Sequence, residues 1–577
     1  MRVFGRRVYW RWFGEVLLEE GIRLRMTGDV ARWLRPGDAV RLATEFSKPL
    51  LGFEEYALHG AFPIWPPFSR EVAHVRESPL GGEVYRYRLR AREAMYESDF
   101  EAVAELEQYH YASEKETVAL WICPRCQQVL AANAKPLCPC GGEARLKEIR
   151  GSTPASRFLV LELVERLPFE PRILGYLRLD PPIPRMHRRT PRGEERDIRE
   201  RIFPPDWFHP TFTGNRPWEK ALDEVNTAAS RIARVVVHPD YRSEGLGALL
   251  VRMALEWVRE RAVPEGRRSK HLVYTIAQMA RYHPFFEKVG FRYLFDTASG
   301  RPVLFYPLTG EAEAYVKRFL QEDPYAPPSG RLFYPQFGGV KGLSGPLVLS
   351  GVRKVYRSRL DLSDLSPQVQ EALAAFGVKA RVLERVILRQ ADLLVPPKTV
   401  VVLAGQSGAG KTTLLRLFLG EAPDAGEVRL PKGKRVAYIP REREVVLGEE
   451  PLLERLYRKL GAVGAAIEVL NRVGLSDVVL YRARPSELST GQRERYRLAL
   501  LLAQRPDLLL IDEFAAHLDV PTARRVALGL GKLVREAGIT LVVATHQPEV
   551  VAALDPDLLA FVGYGGITAI PRRGPQT

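Results

Sequence analysis

The chain has 577 residues, of which 46% are hydrophobic, and its formal net charge is +16. This length excludes a single hydrophobic core and predicts several domains, while the lack of any run of about 18 apolar residues argues against a membrane span. The excess of Lys and Arg favours a polyanionic partner, with a merely arginine-rich composition as the alternative. Residues 1–14 lack the apolar stretch of a signal peptide, so we expect a cytoplasmic protein that binds no membrane.

Residues 1–95 are predicted to form a β-rich domain. The segment 84–92 alternates between polar and apolar residues, which predicts a strand with one face on a core. The other face carries the arginines Arg86, Arg88, Arg90 and Arg92. We predict that this face binds nucleic acid, with a solvated strand face as the alternative.

Residues 96–308 form the second predicted domain, which begins with a helix. Ser98 and Glu101 have the spacing of a capping box, and apolar residues follow at helical intervals. A module at 120–145 contains all four cysteines of the chain, Cys123, Cys126, Cys138 and Cys140. Four thiolates in one short segment are typical of a tetrahedral Zn²⁺ site rather than of a disulfide framework.

An insertion at 181–228 is rich in proline, arginine and aromatic residues. We predict that Arg188, Arg189 and Trp207 contact nucleic acid here, because aromatic rings beside arginines suit stacking on unpaired bases. A linker with one helix is expected at 309–345. The remainder, 346–577, is predicted to be an α/β nucleotide-binding domain.

A strand, a loop and an amphipathic helix are predicted around residues 232–261. The loop brings two glycines to the start of the helix, where backbone N–H groups and the helix dipole favour a pyrophosphate. The residues predicted to bind the pyrophosphate of an acyl-coenzyme A are Arg242, Ser243, Glu244, Gly245, Leu246 and Gly247.

A second phosphate-binding loop follows the apolar strand predicted at 399–404. Lys411 is placed to neutralise the β- and γ-phosphates of ATP, and Thr412 to bind Mg²⁺. The predicted ATP-binding residues of this loop are Gly405, Gln406, Ser407, Gly408, Ala409, Gly410, Lys411, Thr412 and Thr413. Downstream, a buried strand ends at Asp512, which we expect beside the metal, and Glu513 is the expected base for the attacking water.

The segment 488–492, Leu-Ser-Thr-Gly-Gln, resembles the signature sequence of the ABC-type ATPases. Asp519 falls in a segment that resembles their D-loop, and His546 matches their switch histidine. The resemblance implies that Ser489, Gly491 and Gln492 complete the ATP site of a second copy, and therefore a homodimer. Tyr356 is the expected adenine-stacking residue. The family glutamine after residue 440 is replaced by Arg441, with Glu442 or Glu444 as substitutes.

The segment 232–247, with its His-Pro-Asp-Tyr turn, resembles motif A of the GNAT acetyltransferases. The resemblance implies that Val235, Val236 and Val237 pair with the pantetheine arm of acetyl-coenzyme A. Where that family often has a tyrosine as general acid, this chain has Phe286, so Tyr282 is the expected substitute. Asp223, Glu224, His110 and His187 are candidate general bases by position only.

The cysteine module resembles a zinc ribbon. The whole layout resembles an uncharacterised prokaryotic family that joins an ABC-type ATPase to a predicted GNAT acetyltransferase domain. The predicted fold class is therefore α/β multidomain, with an N-terminal β-rich domain, a GNAT domain containing the ribbon, and a C-terminal P-loop ATPase.

The expected function is ATP-assisted N-acetylation of a nucleic acid, with tRNA as the first candidate. One alternative is a protein or small-amine acetyltransferase with a regulatory ATPase. Another is an ABC ATPase that acts on nucleic acid and carries a degenerate GNAT domain. The expected cofactors are ATP, Mg²⁺, acetyl-coenzyme A and Zn²⁺.

Overall fold

The structure is a computed structural model that describes residues 1–43, 49–110, 117–211, 218–440 and 447–572. These residues form two compact units. The first comprises Met1–His74 and Arg86–Tyr334, and the second Val75–Tyr85 and Pro335–Thr577. Within the described ranges, no helix is both long and apolar enough to cross a bilayer. The mixed α/β architecture agrees with the predicted fold class.

The N-terminal part of the first unit is β-rich, as expected. Its elements are β1 Val3–Trp10, β2 Phe13–Leu18, β3 Arg23–Met26, α1 Gly28–Ala31, β4 Arg41–Leu42, β5 Leu50–Leu51, β6 Leu58–His59 and β7 Pro63–Trp65. They form one sheet in the order β1-β2-β3-β5 and another in the order β4-β6-β7. Side chains at alternate positions along the strands, such as Val16, Leu24 and Met26, are fully buried. They belong to the core formed by the two sheets.

The rest of the first unit is built around an eight-stranded sheet. Its elements are β8 Ser69–Glu77, β9 Glu83–Glu93, α2 Glu97–Glu107, β10 Ala119–Ile122, β11 Val129–Ala132, β12 Arg145–Ile149, β13 Arg157–Leu163, β14 Ile173–Asp180, β15 Arg188–Thr190, β16 Gly193–Glu195, α3 Arg199–Ile202, α4 Trp218–Glu224, β17 Ala229–Val237, α5 Leu246–Arg261, β18 Leu272–Ile276, β19 Arg292–Asp296, β20 Pro302–Pro307 and α6 Gly310–Glu322.

The strand order in this sheet is β19-β20-β18-β17-β14-β13-β9-β8. Strands β8 and β9 therefore belong to the sheet of the second predicted domain, and the boundary expected at residue 95 lies too late in the chain. Helix α5 covers one face with an apolar stripe that includes Leu246, Leu250 and Trp257. Burying each such side chain contributes about 1.5–3 kcal/mol, so this helix is firmly held.

The opposite face of the sheet is covered by α2 and by the small sheet β11-β10-β12. Phe100 and Val103 of α2 pack with Trp121 of β10 and with Tyr176 of β14 in one cluster of buried side chains. The cysteine module and the first helix of the acetyltransferase-like domain therefore share a core.

The arginine-rich insertion is folded into the same unit. Phe203, Trp207 and Phe208 are buried with Phe319 of α6, the helix expected in the linker. Since α6 packs against this core, residues 310–322 are part of the domain rather than a free connection.

The second unit has two main sheets. Its elements are β21 Leu347–Leu360, α7 Pro367–Ala375, β22 Arg381–Val395, β23 Val400–Ala404, α8 Lys411–Phe418, β24 Ala425–Arg429, β25 Val436–Ile439, α9 Leu452–Leu460, α10 Val463–Arg472, α11 Val478–Tyr481, α12 Thr490–Leu502, β26 Leu508–Ile511, α13 Val520–Ala537, β27 Thr540–Ala544, α14 Pro548–Leu554, β28 Leu558–Gly563 and β29 Gly566–Pro571.

The six-stranded sheet has the order β25-β26-β27-β23-β28-β29, with only the β28–β29 pair antiparallel, and β22-β21-β24 form a separate antiparallel sheet. Because parallel strands end at the same edge, the loops after β23, β26 and β27 lie on one side of the sheet. This edge is where ligands bind in such sheets.

Candidate functional site

The loop between β23 and α8 has the backbone of a phosphate cradle. At Gly405, φ is +144° and a Cβ atom would lie 2.2 Å from the Val562 carbonyl oxygen. At Gly410, φ is +110° and a Cβ would lie 2.8 Å from Ile387 Cγ2. Since neither position admits a side chain, the loop is restricted to a conformation that glycine alone adopts readily. Backbone N–H groups of such a loop can converge on phosphate.

Lys411 begins α8 and turns its ammonium group back over this loop. Its Nζ donates hydrogen bonds to the carbonyl oxygens of Gly405 at 2.7 Å and Gln406 at 2.9 Å. The charge is therefore held at the loop, where it can neutralise the β- and γ-phosphates.

The buried strand β26 places Asp512 beside the loop. Thr412 Oγ1 donates to Asp512 Oδ2 at 2.7 Å, so two hard oxygen ligands of the kind Mg²⁺ prefers are already in contact. Glu513 follows Asp512 with φ of +54°, a left-handed conformation that is costly for a non-glycine residue and is often found at functional sites. His546 is exposed, and its role stays a prediction.

The signature segment begins α12. Ser489 Oγ accepts the Gln492 backbone N–H at 3.3 Å, and Gln492 Oε1 accepts that of Ser489 at 2.9 Å, which is a reciprocal capping box. Gly491 lies in the first turn between them. The exposed N-terminus of α12 is thereby held in one conformation.

Two other predicted nucleotide contacts have defined surroundings. Asp519 caps α13 by accepting the Thr522 backbone N–H at 2.9 Å. Tyr356 is half-buried on β21, and Lys354 Nζ lies 5.8 Å from its ring centroid. Adenine stacking by Tyr356 stays a prediction, and Arg441, Glu442 and Glu444 lie outside the described residues.

In the first unit, strands β17 and β18 diverge at the predicted coenzyme site. They pair in parallel only where Ala229–Ile232 of β17 lies beside Leu272–Thr275 of β18. The later residues 235–237 pair with β14 on one edge and with no described strand on the other. This leaves backbone groups available to pair with an extended ligand such as a pantetheine arm.

The N-terminus of α5 lies immediately after this open edge. Gly245 is its N-cap, with φ of +83°, and the helix runs for 16 residues. Arg242 donates to the Val237 carbonyl at 3.3 Å and to the Tyr109 carbonyl at 2.9 Å, so it ties the loop to β17 and to the end of α2. The helix dipole and the loop glycines suit a pyrophosphate at this point.

The position of the family's general acid is apolar in this chain. Phe286 is buried and packs edge-on against Phe291, with ring centroids 5.3 Å apart. Tyr282 is half-buried after the short 3-10 turn Gln278–Arg281, and its role as proton donor stays a prediction.

A buried carboxylate that the sequence analysis did not identify lies beside β17. Glu107 is 2% exposed at the end of α2, accepts the Tyr176 hydroxyl, and lies 3.3 Å from Arg234 Nε. Burial raises the pKa of Glu107, and Arg234 and Arg178 only partly oppose this. A carboxylate with a raised pKa is a competent general base near neutral pH.

The sequence did contain a signal for Glu107. It follows Phe100, Val103 and Ala104 on the buried face of α2, where Asp99 in the first turn is the one other charged residue. An acidic residue at a core position of a helix is costly to bury, so it indicates a function or a charged partner.

The candidate bases chosen by position have other surroundings. Asp223 accepts Arg6 Nη2 at 2.9 Å, and His187 Nδ1 accepts the Asp197 backbone N–H at 3.1 Å. Glu224 is exposed on α4. Burial, with Arg234, Arg178 and Arg242, lowers the pKa of His110 to about 3, which makes it a weak base.

The four cysteine sulfurs converge at one point of the ribbon. All four Sγ atoms lie within 4.8 Å of one another, with 3.4 Å between those of Cys123 and Cys140. A Cβ at Gly142 would lie 2.8 Å from Cys123 Sγ, so only glycine fits against the cluster. Cys123, Cys126, Cys138 and Cys140 would hold a Zn²⁺ ion in a closed, structural site, since zinc takes four such ligands.

Three residues predicted to bind nucleic acid are buried, and that prediction is wrong for them. Arg92 is bound by Asp99 through both Nη atoms, at 2.7 and 2.8 Å. Arg188 is 2% exposed and paired with Asp323, and Trp207 is 3% exposed and stacked on His271. None of the three presents a free face to a base or phosphate.

The other predicted nucleic-acid contacts lie at the surface. Arg88 pairs with Glu165, and Arg90 pairs with Glu71 at 2.6 Å. Arg189 is exposed on the β15–β16 hairpin, and its role stays a prediction, as does that of Arg86.

Comparison with known proteins identifies both domains. Residues 388–516 match the family model described as ABC transporter, and residues 218–293 match the one described as Acetyltransferase (GNAT) domain. The lipoprotein-releasing system ATP-binding protein LolD 1 of Rhodospirillum rubrum is 35% identical over an alignment of 193 residues, which covers 29% of this chain and 84% of that protein. The thiamine import ATP-binding protein ThiQ of Chelativorans sp. is 37% identical over an alignment of 199 residues, which covers 31% of this chain and 78% of that protein.

Among solved structures, a dimeric bacterial ABC transporter cassette aligns with 40% of this chain and 99% of its own, at 20% identity and a TM-score of 0.29. The predicted fusion of two enzyme domains is confirmed. The chain belongs to the ABC family of ATP-binding proteins and carries a GNAT acetyltransferase domain in the same polypeptide.

Proposed function

We propose that the protein is an ATP-gated acetyltransferase that moves an acetyl group from acetyl-coenzyme A to an amine of a nucleic acid, with tRNA as the first candidate. The observation that carries the proposal is the presence of two phosphate-binding loops, one for each substrate, in a chain of net charge +16. A large positive charge favours a polyanionic acceptor over a small amine.

In the transfer, bound acetyl-coenzyme A supplies the thioester carbonyl. Glu107 accepts the proton of the attacking amine as the C–N bond forms and the C–S bond breaks, and Tyr282 donates a proton to the departing sulfur. The contact of Glu107 with Arg234 supports this role, because Arg234 lies on β17 next to the edge that diverges from β18. The arginine also balances the carboxylate charge.

In the ATPase unit, Lys411 binds the phosphates, Thr412 and Asp512 hold Mg²⁺, and Glu513 activates the water. We propose that two copies associate when ATP binds, with Ser489 and Gly491 of each contacting the nucleotide of the other. Formation and release of this dimer would gate the acceptor's access to the acetyl group.

The proposal is tested by incubating the pure protein with radiolabelled acetyl-coenzyme A, ATP and tRNA, and then separating RNA from protein. Label in the RNA is the expected result. Label only in protein, or none in RNA with or without ATP, would overturn the choice of acceptor.

A second candidate is an ABC ATPase that acts on nucleic acid and has a degenerate acetyltransferase domain. The buried Phe286 favours it, because no donor occupies the family's acid position. ATP hydrolysis that is stimulated by tRNA, without transfer of an acetyl group to any acceptor, would favour this candidate over the first.

A further inference from the structure

A cleft lies at the turn between β1 and β2. Its volume is about 510 Å³, within the range of ligand-binding pockets. Tyr9, Trp10, Trp12 and Phe13 line it from the hairpin, and Tyr96 lines it from the segment before α2. We call this the hairpin cleft.

The rings of the hairpin cleft are arranged in pairs. Trp10 and Trp12 are parallel, with centroids 5.2 Å apart and planes 6° apart, and Tyr9 stacks on Phe13 at 5.3 Å. Tyr9 and Tyr96 are each 50% exposed. Flat aromatic faces left open in a concave site are suited to stack on a planar ligand.

The cleft also contains an unsatisfied hydrogen-bond acceptor. Glu97 lines it, and its Oε1 is buried yet accepts no hydrogen bond from any residue that the structure describes. A buried acceptor without a donor is destabilising, so the site is completed by a ligand that brings an N–H group.

Arg145 lines the same cleft and determines the class of ligand. Aromatic rings with a carboxylate also attract quaternary ammonium groups. Here, however, the cleft already contains a guanidinium group, which would repel a second cation and attract a phosphate. On β12, Arg145 and Lys147 are exposed on either side of the buried Leu146, so two cationic side chains lie on this part of the strand.

We propose that the hairpin cleft binds an unstacked, amino-bearing nucleobase of a single-stranded RNA segment. The base stacks on the open rings, its amino group donates to Glu97, and Arg145 contacts an adjacent phosphate. The inference rests on the proposed function, which supplies the class of partner, a nucleic acid. It assigns the binding of the RNA to the β-rich N-terminal region.

The test measures binding of fluorescein-labelled rC10 and rU10 by anisotropy, with the full chain and without ATP or acetyl-coenzyme A. The wild-type protein is expected to prefer rC10, since cytosine has an amino donor where uracil has a carbonyl oxygen. Tyr9→Ala should weaken binding of both about 5- to 150-fold, the range for one lost base stack.

Two further variants serve as comparisons. One removes an aromatic ring outside the cleft, and the other neutralises the carboxylate inside it. Phe4→Ala removes a 65% exposed ring on the same strand outside the cleft and should bind like the wild type. Glu97→Gln should bind rC10 and rU10 equally. Unchanged binding by Tyr9→Ala, a C-over-U preference retained by Glu97→Gln, or displacement of rC10 by tetramethylammonium would overturn the proposal.

The two proposals fail separately. If tRNA becomes acetylated but Tyr9→Ala binds RNA normally, the hairpin cleft is not the RNA site and the proposed activity stands. If the cleft binds rC10 as expected but tRNA receives no label, the cleft stands and the choice of acceptor fails.

Discussion

The ATP site and the acetyl-coenzyme A site both begin with a glycine loop at a helix N-terminus, but their catalytic groups are arranged differently. In the ATP site the loop residues Lys411 and Thr412 are adjacent in sequence, and Thr412 already contacts Asp512, which follows β26 and lies 100 residues later in the chain. In the acetyl site the loop is equally local, but the candidate base, Glu107, comes from a helix more than 100 residues before it and contacts Arg234 of β17 rather than the loop. Phosphate binding is therefore encoded locally in both sites, and both catalytic carboxylates depend on the assembled fold. The two sites differ in that the carboxylate beside the ATP loop already contacts that loop.

The largest effect is expected at the ATP site. Glu513→Gln should lower ATP hydrolysis about 10²- to 10⁴-fold, because a positioned base contributes that much, while ATP binding persists. Phosphate release and nucleotide binding are measured together. Glu371→Gln, on the exposed face of α7, is the matched control and should hydrolyse ATP normally. Hydrolysis retained in Glu513→Gln would show that the water is activated elsewhere.

The next effect concerns the acetyl site. Glu107→Gln should lower acetyl transfer about 10²-fold or more, with a control in Glu105→Gln on the exposed face of the same helix. Because burial raises the pKa of Glu107, the wild-type rate should rise with pH until the carboxyl group is ionised. The variant should lose this part of the pH profile. An unchanged profile would assign Glu107 a purely structural role.

The two glycine loops should respond differently to a methyl group. Gly405→Ala places a Cβ against the Val562 carbonyl and should destabilise its domain by about 1–3 kcal/mol. Gly247→Ala has room, since the nearest side-chain atom, Phe285 Cδ2, is 3.8 Å from the new Cβ. It should keep its melting temperature and bind acetyl-coenzyme A about tenfold more weakly, the equivalent of one lost charge-assisted hydrogen bond. Equal melting temperatures for the two variants would contradict the expected difference between the two loops.

The smallest effect is expected from the ribbon. Cys126→Ser should lower the zinc content from about one ion per chain and lower the melting temperature of the first unit. Because the ribbon shares a core with α2, acetyl transfer should fall several-fold more than ATP hydrolysis. Full zinc content in the variant would exclude the four-cysteine site.

The sequence was sufficient for features that depend on local geometry. Gly405, Gly410 and Lys411 are fixed by the conformation of one loop, so their positions could be read from the motif. The cysteines lie close in sequence and converge at one point. Strand β17 and helix α5 follow each other directly, so the second loop was also predictable.

The features that the sequence analysis did not predict depend on contacts between residues that are far apart in the sequence. Strands β8 and β9 alternate like any surface strand, and only their pairing with β13 assigns them to the acetyltransferase sheet. Arg188 and Trp207 have the composition of a nucleic-acid surface, but their partners, Asp323 and His271, occur much later in the chain. The proposed role of Glu107 depends on its contacts with Tyr176 and Arg234, which also occur much later in the chain.

The most direct test of the central claim, that ATP turnover gates acetyl transfer, compares the wild-type protein with Glu513→Gln. The measurement is the rate at which radiolabelled acetyl groups enter tRNA, with and without ATP. We predict that the wild-type rate depends on ATP and that the variant is at least about tenfold slower, since it cannot complete the ATP cycle. Equal rates in the two proteins, unaffected by ATP, would contradict the account.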